Sequence, residues 1–396
     1  MTKSIAISGF VKPRFETVRE VFIENFERRH ELGAACCVYY QGEKVVDLWG
    51  GIRNKATGDP WEENTMVLVA SATKGLAAMA MALGESRGLF DYDERISKYW
   101  PEFAQQGKDR ITIRQLLAHQ AGLFALDERV DTKVEADLDK LAVILERQKP
   151  AWEPGTRQGY HAITLGFYES ELLRRVDPKH RSLGRFFHEE IASPLRIDFY
   201  IGLPEDIPNA RLARTSMTNP VPAGLKAPVQ LMLAIMNPRS RIRRALWGEL
   251  QEDRKHVYPR KVEVPSGGGI GTARAMAKAY GIFATGGKEL GLREETLEQL
   301  IAPAIPPTHG FYDEVMKLRG MQMSLGFMKP SQENLFAHPS SFGMLGFGGC
   351  IGFADPHAKV GFAYVPNRAD TYLMDPRQNA LRLAMYRSIG ETIHSS

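Results

Sequence analysis

Apolar positions recur at helical spacing over residues 15–30, and the period then shortens. AACCVYY and KVVDLWGG, on either side of the polar QGE, read as two strands around a tight turn, the opening hairpin of an antiparallel sheet. The residues from Gly75 to about Leu89 are almost wholly apolar and small, the pattern of a buried helix. ITIRQLLAHQAGL, residues 111–123, predicts a further helix ended by Gly122, and residues 138–148 and 164–176 continue the helical character. Over residues 214–265 several prolines and the lack of a sustained period predict a long surface excursion near a site. Order returns at SGGGIGTARAMAKAYGIFATGG, where Thr272 can cap the helix that follows. GCIGFADPHAKVGFAYVPN holds two apolar, glycine-containing runs around Asp355-Pro356, a hairpin signal, and residues 376–393 close the chain as a helix.

Strands at both ends with helices between them predict an α+β fold, one sheet built from both chain ends with a mainly helical lobe inserted. Residues 1–75 and 265–396 form the sheet-containing lobe, residues 76–264 the helical lobe with its irregular excursion, and the whole is one domain. No internal repeat or low-complexity tract interrupts it.

Composition narrows the classes. With 43% hydrophobic and 25% charged residues over 396 positions, the chain is neither disordered nor fibrous and can fill a large core. Its 51 basic and 47 acidic residues nearly balance, and the basic ones are scattered apart from Arg239, Arg241, Arg243 and Arg244. That cluster reads as solvated surface, so no nucleic-acid partner is expected. No stretch of eighteen apolar residues occurs, and MTKSIAISGFVKPRFE lacks an apolar segment followed by a cleavage site, which predicts a cytoplasmic protein without a membrane partner. Cys36 and Cys37 are adjacent and cannot readily bridge, and Cys350 is remote, so all three are expected as reduced core residues.

One short motif carries chemistry. Ser71 is followed three residues later by Lys74 at the entrance of the apolar helix, the single Ser-x-x-Lys in the chain. At that spacing two helical side chains leave one face, so an amine can reach a hydroxyl. A serine becomes a nucleophile when a base takes its proton, and low dielectric or a neighbouring cation moves a lysine toward the neutral form that can do so. The bland alternative is a capping serine beside a lysine that extends to solvent. Other chemistries lack residues: no serine is framed as Gly-x-Ser-x-Gly, and the ten histidines form no His-Glu-x-x-His or similar cluster, so neither metal nor cofactor is expected. The Gly267 to Gly271 run lacks a phosphate-loop signature and reads as close backbone packing.

VASATKG at 69, DERISKYWPEFAQQGKDRITIRQLLAHQAGL at 93, WEPGTRQGYHAITLGFYESELLRRV at 152, FFHEEIASPLRIDFYIGLPE at 186, GGGIGTARAMAKAYG at 267 and GFGGCIGFADP at 346 occur in this order. Together they resemble the serine β-lactamase and penicillin-binding-protein superfamily, and within it the class C-like family VIII carboxylesterases. The resemblance implies a β-lactamase-like α+β fold, with an antiparallel sheet flanked by helices and a helical lobe inserted. It also implies that Tyr160, in Tyr160-His161-Ala162, serves as partner base or proton relay to Ser71 and Lys74. The backbone N–H groups of Ser71 and Phe347 would form the oxyanion hole.

The third box of that family is Lys-Thr-Gly or His-x-Gly, and here Met344-Leu345-Gly346 stands in its place, a candidate wall of the substrate pocket. A methionine can neither hold a carboxylate nor donate a hydrogen bond. The resemblance therefore implies a serine esterase acting on a small ester, weak against β-lactams. An acyltransferase using the same acyl-enzyme and a degenerate ligand-binding member are the alternatives. The residues specify no oligomeric state.

Overall fold

The computed structural model describes residues 6–217, 234, 236–237, 239–246, 260, 262–370 and 375–393. Its main sheet contains β1 (Ile7–Val11), β2 (Gly33–Tyr40), β3 (Glu43–Asn54), β4 (Gln322–Ser324), β5 (Phe327–Lys329), β6 (Phe342–Leu345), β7 (Ile351–Asp355) and β8 (Val360–Pro366). These lie in the order β1-β3-β2-β8-β7-β6-β5-β4, and neighbours are antiparallel throughout. The pairing of β2 with β8, in which Cys37 faces Ala363, joins the two ends of the chain in one sheet, as the element order predicts.

The helices that concern the site are α1 (Glu16–Arg28), α2 (Thr73–Ser86), α3 (Thr164–Val176), α4 (Arg241–Leu246), α5 (Ala273–Ala284) and α6 (Pro376–Ile389). Both faces of the sheet are covered, which is why β7 and β8 are buried at every position instead of alternating. Successive side chains of a strand point to opposite faces. Cys36 therefore joins the apolar layer shared with Phe22 and Leu381 of α1 and α6, and Cys37 the layer beneath α5. All three cysteines are buried and free. On the α5 side the backbones touch, since a Cβ on Gly361 would stand 2.2 Å from the amide nitrogen of Gly281. Aromatic side chains fill the opposite side, where Phe353 and Phe362 stack at 5.2 Å.

α2 is buried along its whole length. Its start is held by a small antiparallel sheet of Val67–Leu68, Gly269–Gly271 and Phe199–Ile201. The glycine run packs closely there: a Cβ on Gly269 would lie 2.6 Å from the side-chain Oγ1 of Thr73 and 2.7 Å from the Phe199 ring. Thr272 caps α5 by accepting from the Ala275 N–H at 3.1 Å.

Two expectations are corrected. The helix over residues 111–123 is confined to Ile113–Leu117, opened by a Thr112–Gln115 capping box. His119 takes a left-handed backbone, φ +59°, so the chain turns out of the helix before Gly122. Within residues 214–265 the chain is not wholly irregular, because α4 lies there; the rest of that excursion falls largely outside the described residues. The short strands β4 and β5 carry no strong alternation and leave no mark in the sequence pattern, whereas β6 carries Met344 and Leu345 on the strand that the resemblance implies. No helix of the described residues is long and apolar enough to cross a membrane.

Candidate active site

Ser71 lies in a tight turn, Ala70–Ala72, that runs directly into α2. The turn is braced on both sides. The Val69 N–H donates to Gly269 O at 3.0 Å, while Thr73 Oγ1 donates to Ala70 O at 2.6 Å and accepts from the Gly269 N–H at 2.9 Å. Ala70 is left-handed, φ +47°, a conformation that costs a residue with a Cβ about 1–2 kcal/mol. Such strain is retained where the surroundings fix the backbone.

One residue into α2, Lys74 is fully buried. Its Nζ donates to Ala162 O at 2.5 Å and Ser266 O at 2.7 Å, and lies 4.8 Å from the centre of the Tyr160 ring. The Tyr160 hydroxyl lies beside the Ser71 side chain, whose hydroxyl favours the charged form of the phenol. Hydroxyl, phenol and lysine amine therefore meet from two segments 89 positions apart, Ser71 to Tyr160. The Tyr160 backbone N–H lies near the carboxylate of Asp313 and helps to favour its charged form. The same carboxylate accepts from Val315 and Met316 at 2.9 and 2.7 Å.

Burial sets the charge states. It pushes Tyr160 above the usual tyrosine range, opposed by the Ser71 hydroxyl, so at neutral pH the group is a phenol. His161 is pushed down to about 3 by burial, with Lys74 adding to the shift. Its Nε2 accepts from the Leu123 N–H at 2.9 Å, so Nδ1 carries the proton and donates to Gly159 O at 2.7 Å. His119 is driven well below its range by burial, then by His161 and Lys74; its Nδ1 accepts from the His161 N–H at 2.9 Å and its ring lies 5.0 Å from that of Tyr160. With three of the four imidazole nitrogens committed to the main chain, this pair holds the Tyr160 segment in place and is not arranged to ligate a metal. Glu169 of α3 is pushed up to about 8 by burial, moderated by Lys74. Neither of its oxygens meets a hydrogen-bond partner among the described residues.

The end of β6 lies against the serine turn, since a Cβ on Gly346 would stand 2.2 Å from Val69 O. Phe347, next in the chain, is 56% exposed. Met344 and Leu345, expected to line the pocket, are only 2% and 9% exposed. Met344 packs beside Gly75, so the surface open to a ligand here comes from Gly346 and Phe347. Phe124 and Trp152 stack at 5.5 Å on the Tyr160 side, in contact with α4. The arginine cluster lies at the surface, with Arg239 and Arg244 exposed, and two of its members are ion-paired there. Arg241 pairs with Glu314 and Arg244 with Asp127, each at 2.6 Å, and their guanidinium groups lie over Trp152 and Phe124.

Ser71, Lys74 and Tyr160 are thus brought together, and Gly346 and Phe347 adjoin them. Sequence reasoning missed His119, His161, Glu169 and Asp313. A histidine inside an apparent helix and one beside Tyr160 were the visible signs; Asp313 carried none.

The Beta-lactamase family model matches residues 18–385. The chain is 33% identical over 371 residues to the Esterase/beta-lactamase LipL of Mycobacterium tuberculosis (strain ATCC 25618 / H37Rv), spanning 91% of this chain and 83% of that protein. A solved family VIII carboxylesterase superposes with a TM-score of 0.83 at 36% identity, covering 97% of this chain and all of the other. A penicillin-binding-protein homologue from Caulobacter crescentus gives 0.82 at 32% identity, with 97% of this chain and 100% of that one covered.

Proposed function

The chain belongs to the beta-lactamase family, and from that membership we propose that it is a serine carboxylesterase working through an acyl-enzyme on Ser71. The observation that carries the reading is the Tyr160 hydroxyl beside the Ser71 side chain, with the buried amine of Lys74 4.8 Å from the centre of the same ring. Ser71 Oγ attacks the ester carbonyl. The Tyr160 phenol takes its proton while passing its own to the neutral amine of Lys74 as the C–O bond to carbon forms, and the proton returns by the same route to the departing alkoxide, which leaves as the alcohol. The developing oxyanion is held by the backbone N–H groups of Ser71 and Phe347. Water then enters, gives its proton to the same relay and releases the carboxylic acid.

Met344 supports an ester over a β-lactam. It brings no charge to the position where the family carries a lysine or histidine, so a drug carboxylate loses a charge-assisted contact worth about 1.5–3 kcal/mol, whereas a neutral ester loses little. The substrate is accordingly a small uncharged ester, with no nucleic-acid or membrane partner, and the three free buried cysteines fit a reducing, cytoplasmic setting.

A panel of p-nitrophenyl esters of increasing chain length, run beside a chromogenic cephalosporin, tests this. Wild type turns over short esters, Ser71→Ala does not, and Met344→His raises the cephalosporin-to-ester ratio about tenfold. An unmoved ratio, or an efficient wild-type β-lactamase, would overturn the assignment of position 344.

A further inference from the structure

At the end of β7 remote from the serine turn, three segments distant in sequence converge. His338 follows β5, His357 lies in the turn between β7 and β8, and Glu391 follows α6. Their ligating atoms all lie within 4.8 Å of one another. We propose that His338, His357 and Glu391 bind a borderline divalent cation such as Zn²⁺, fastening the C-terminal end of α6 to the edge of the sheet.

The argument starts at Asp355. This fully buried carboxylate accepts from the Tyr386 hydroxyl at 2.5 Å, the Ala358 N–H at 3.1 Å and His338 Nδ1 at 2.5 Å. With Nδ1 engaged by Asp355, the other ring nitrogen, Nε2, faces an oxygen of Glu391 at 3.7 Å. The ring of His357 lies 4.4 Å from that of His338 and brings a second imidazole beside the pair. A carboxylate that orients a histidine toward a metal is the usual support of such a centre. Two imidazoles and one carboxylate suit Zn²⁺ and its neighbours, and exclude Mg²⁺ as the preferred ion.

Backbone geometry holds the donors. Gly390 is left-handed at the end of α6, φ +78°, and the Glu391 N–H donates to Tyr386 O at 3.0 Å, so Glu391 is part of a helix cap. Tetrahedral zinc ligands stand about 3.4 Å apart. Rotation of the exposed His357 side chain supplies the needed contraction.

The test uses untagged, full-length protein stripped with EDTA and titrated calorimetrically with ZnCl₂. One Zn²⁺ binds per chain and raises Tm, while Mg²⁺ does neither. His357→Ala and Glu391→Gln each weaken zinc binding about tenfold or more, whereas His180→Ala, at an exposed histidine elsewhere, leaves it unchanged. Metal-free Tm of His357→Ala stays at the wild-type value, which shows that the fold is intact. Failure of the wild type to bind zinc at about 1 mM, or the same isotherm in His357→Ala, would overturn the proposal.

Discussion

Lys74 and Lys108 are both fully buried, and each donates to two main-chain carbonyls: Ala162 and Ser266 for the first, Glu146 and Gln148 for the second. Each also lies about 5 Å from an aromatic ring, Tyr160 at 4.8 Å and Phe103 at 5.1 Å. The difference is in what completes the surroundings. Phe103 has no hydroxyl, and the carbonyls around Lys108 end the helix Leu138–Arg147, where a cation offsets the helix dipole. Tyr160 has one, beside Ser71, and Lys74 sits in the first turn of α2, where the dipole opposes a cation. Burial of a lysine is therefore a matter of hydrogen-bond satisfaction, common to both, and chemistry resides in the two oxygens beside only one of them.

Matched substitutions break or sharpen this contrast. Lys74→Met and Lys108→Met each leave two buried carbonyls unpaired, so both lower stability, by about 1–3 kcal/mol per carbonyl. Ester turnover separates them. Lys74→Met loses about 10²–10⁴-fold in kcat, while folded Lys108→Met keeps wild-type kcat. Equal losses in the two folded variants would reduce Lys74 to a structural residue.

The phenol gives the next effect in size. Tyr160→Phe retains the ring and removes the hydroxyl, and kcat/KM is expected to fall about a hundredfold. Between about pH 5 and 9 the rate rises in wild type, because the serine proton needs an uncharged acceptor. Burial holds Tyr160 above its ordinary range, so the variant keeps the same midpoint. Loss of the alkaline rise in Tyr160→Phe would make the phenol the titrating base.

The smallest effect is one of stability alone. Glu169 is raised from 4.5 to about 8 in the folded chain, so between those values the native state holds a proton that the unfolded state has released. Stability therefore falls as pH rises from 4.5 to about 8 and is level above. Glu169→Gln removes that slope, and denaturant melts should show a gain on the order of a few kcal/mol at about pH 9 and none at about pH 4. A gain independent of pH would place the cause elsewhere.

What the sequence disclosed follows the same division. The buried α2, the hairpin of β2 and β3, α3, the Thr272 cap and the hairpin of β7 and β8 are local patterns with caps or turns, and they stand where periodicity puts them. The meeting of Ser71 with Lys74 is equally local. Tyr160 needed the family resemblance, because nothing near it in sequence points to Ser71. His119 was hidden inside a helical pattern that its left-handed backbone ends. Asp313, Glu169 and the convergence of His338, His357 and Glu391 depend on contacts between remote segments, which no spacing rule records.

The central claim is that Ser71 is a nucleophile made so by its neighbours, and covalent capture tests it most directly. Incubation with a fluorophosphonate, in which Oγ displaces fluoride at phosphorus, is followed by intact-mass measurement. One adduct per chain is expected on wild type, none on Ser71→Ala, and markedly slower labelling of Lys74→Met than of Lys108→Met. A full adduct on Ser71→Ala, or none on folded wild type at any pH from about 6 to 9, would contradict the account.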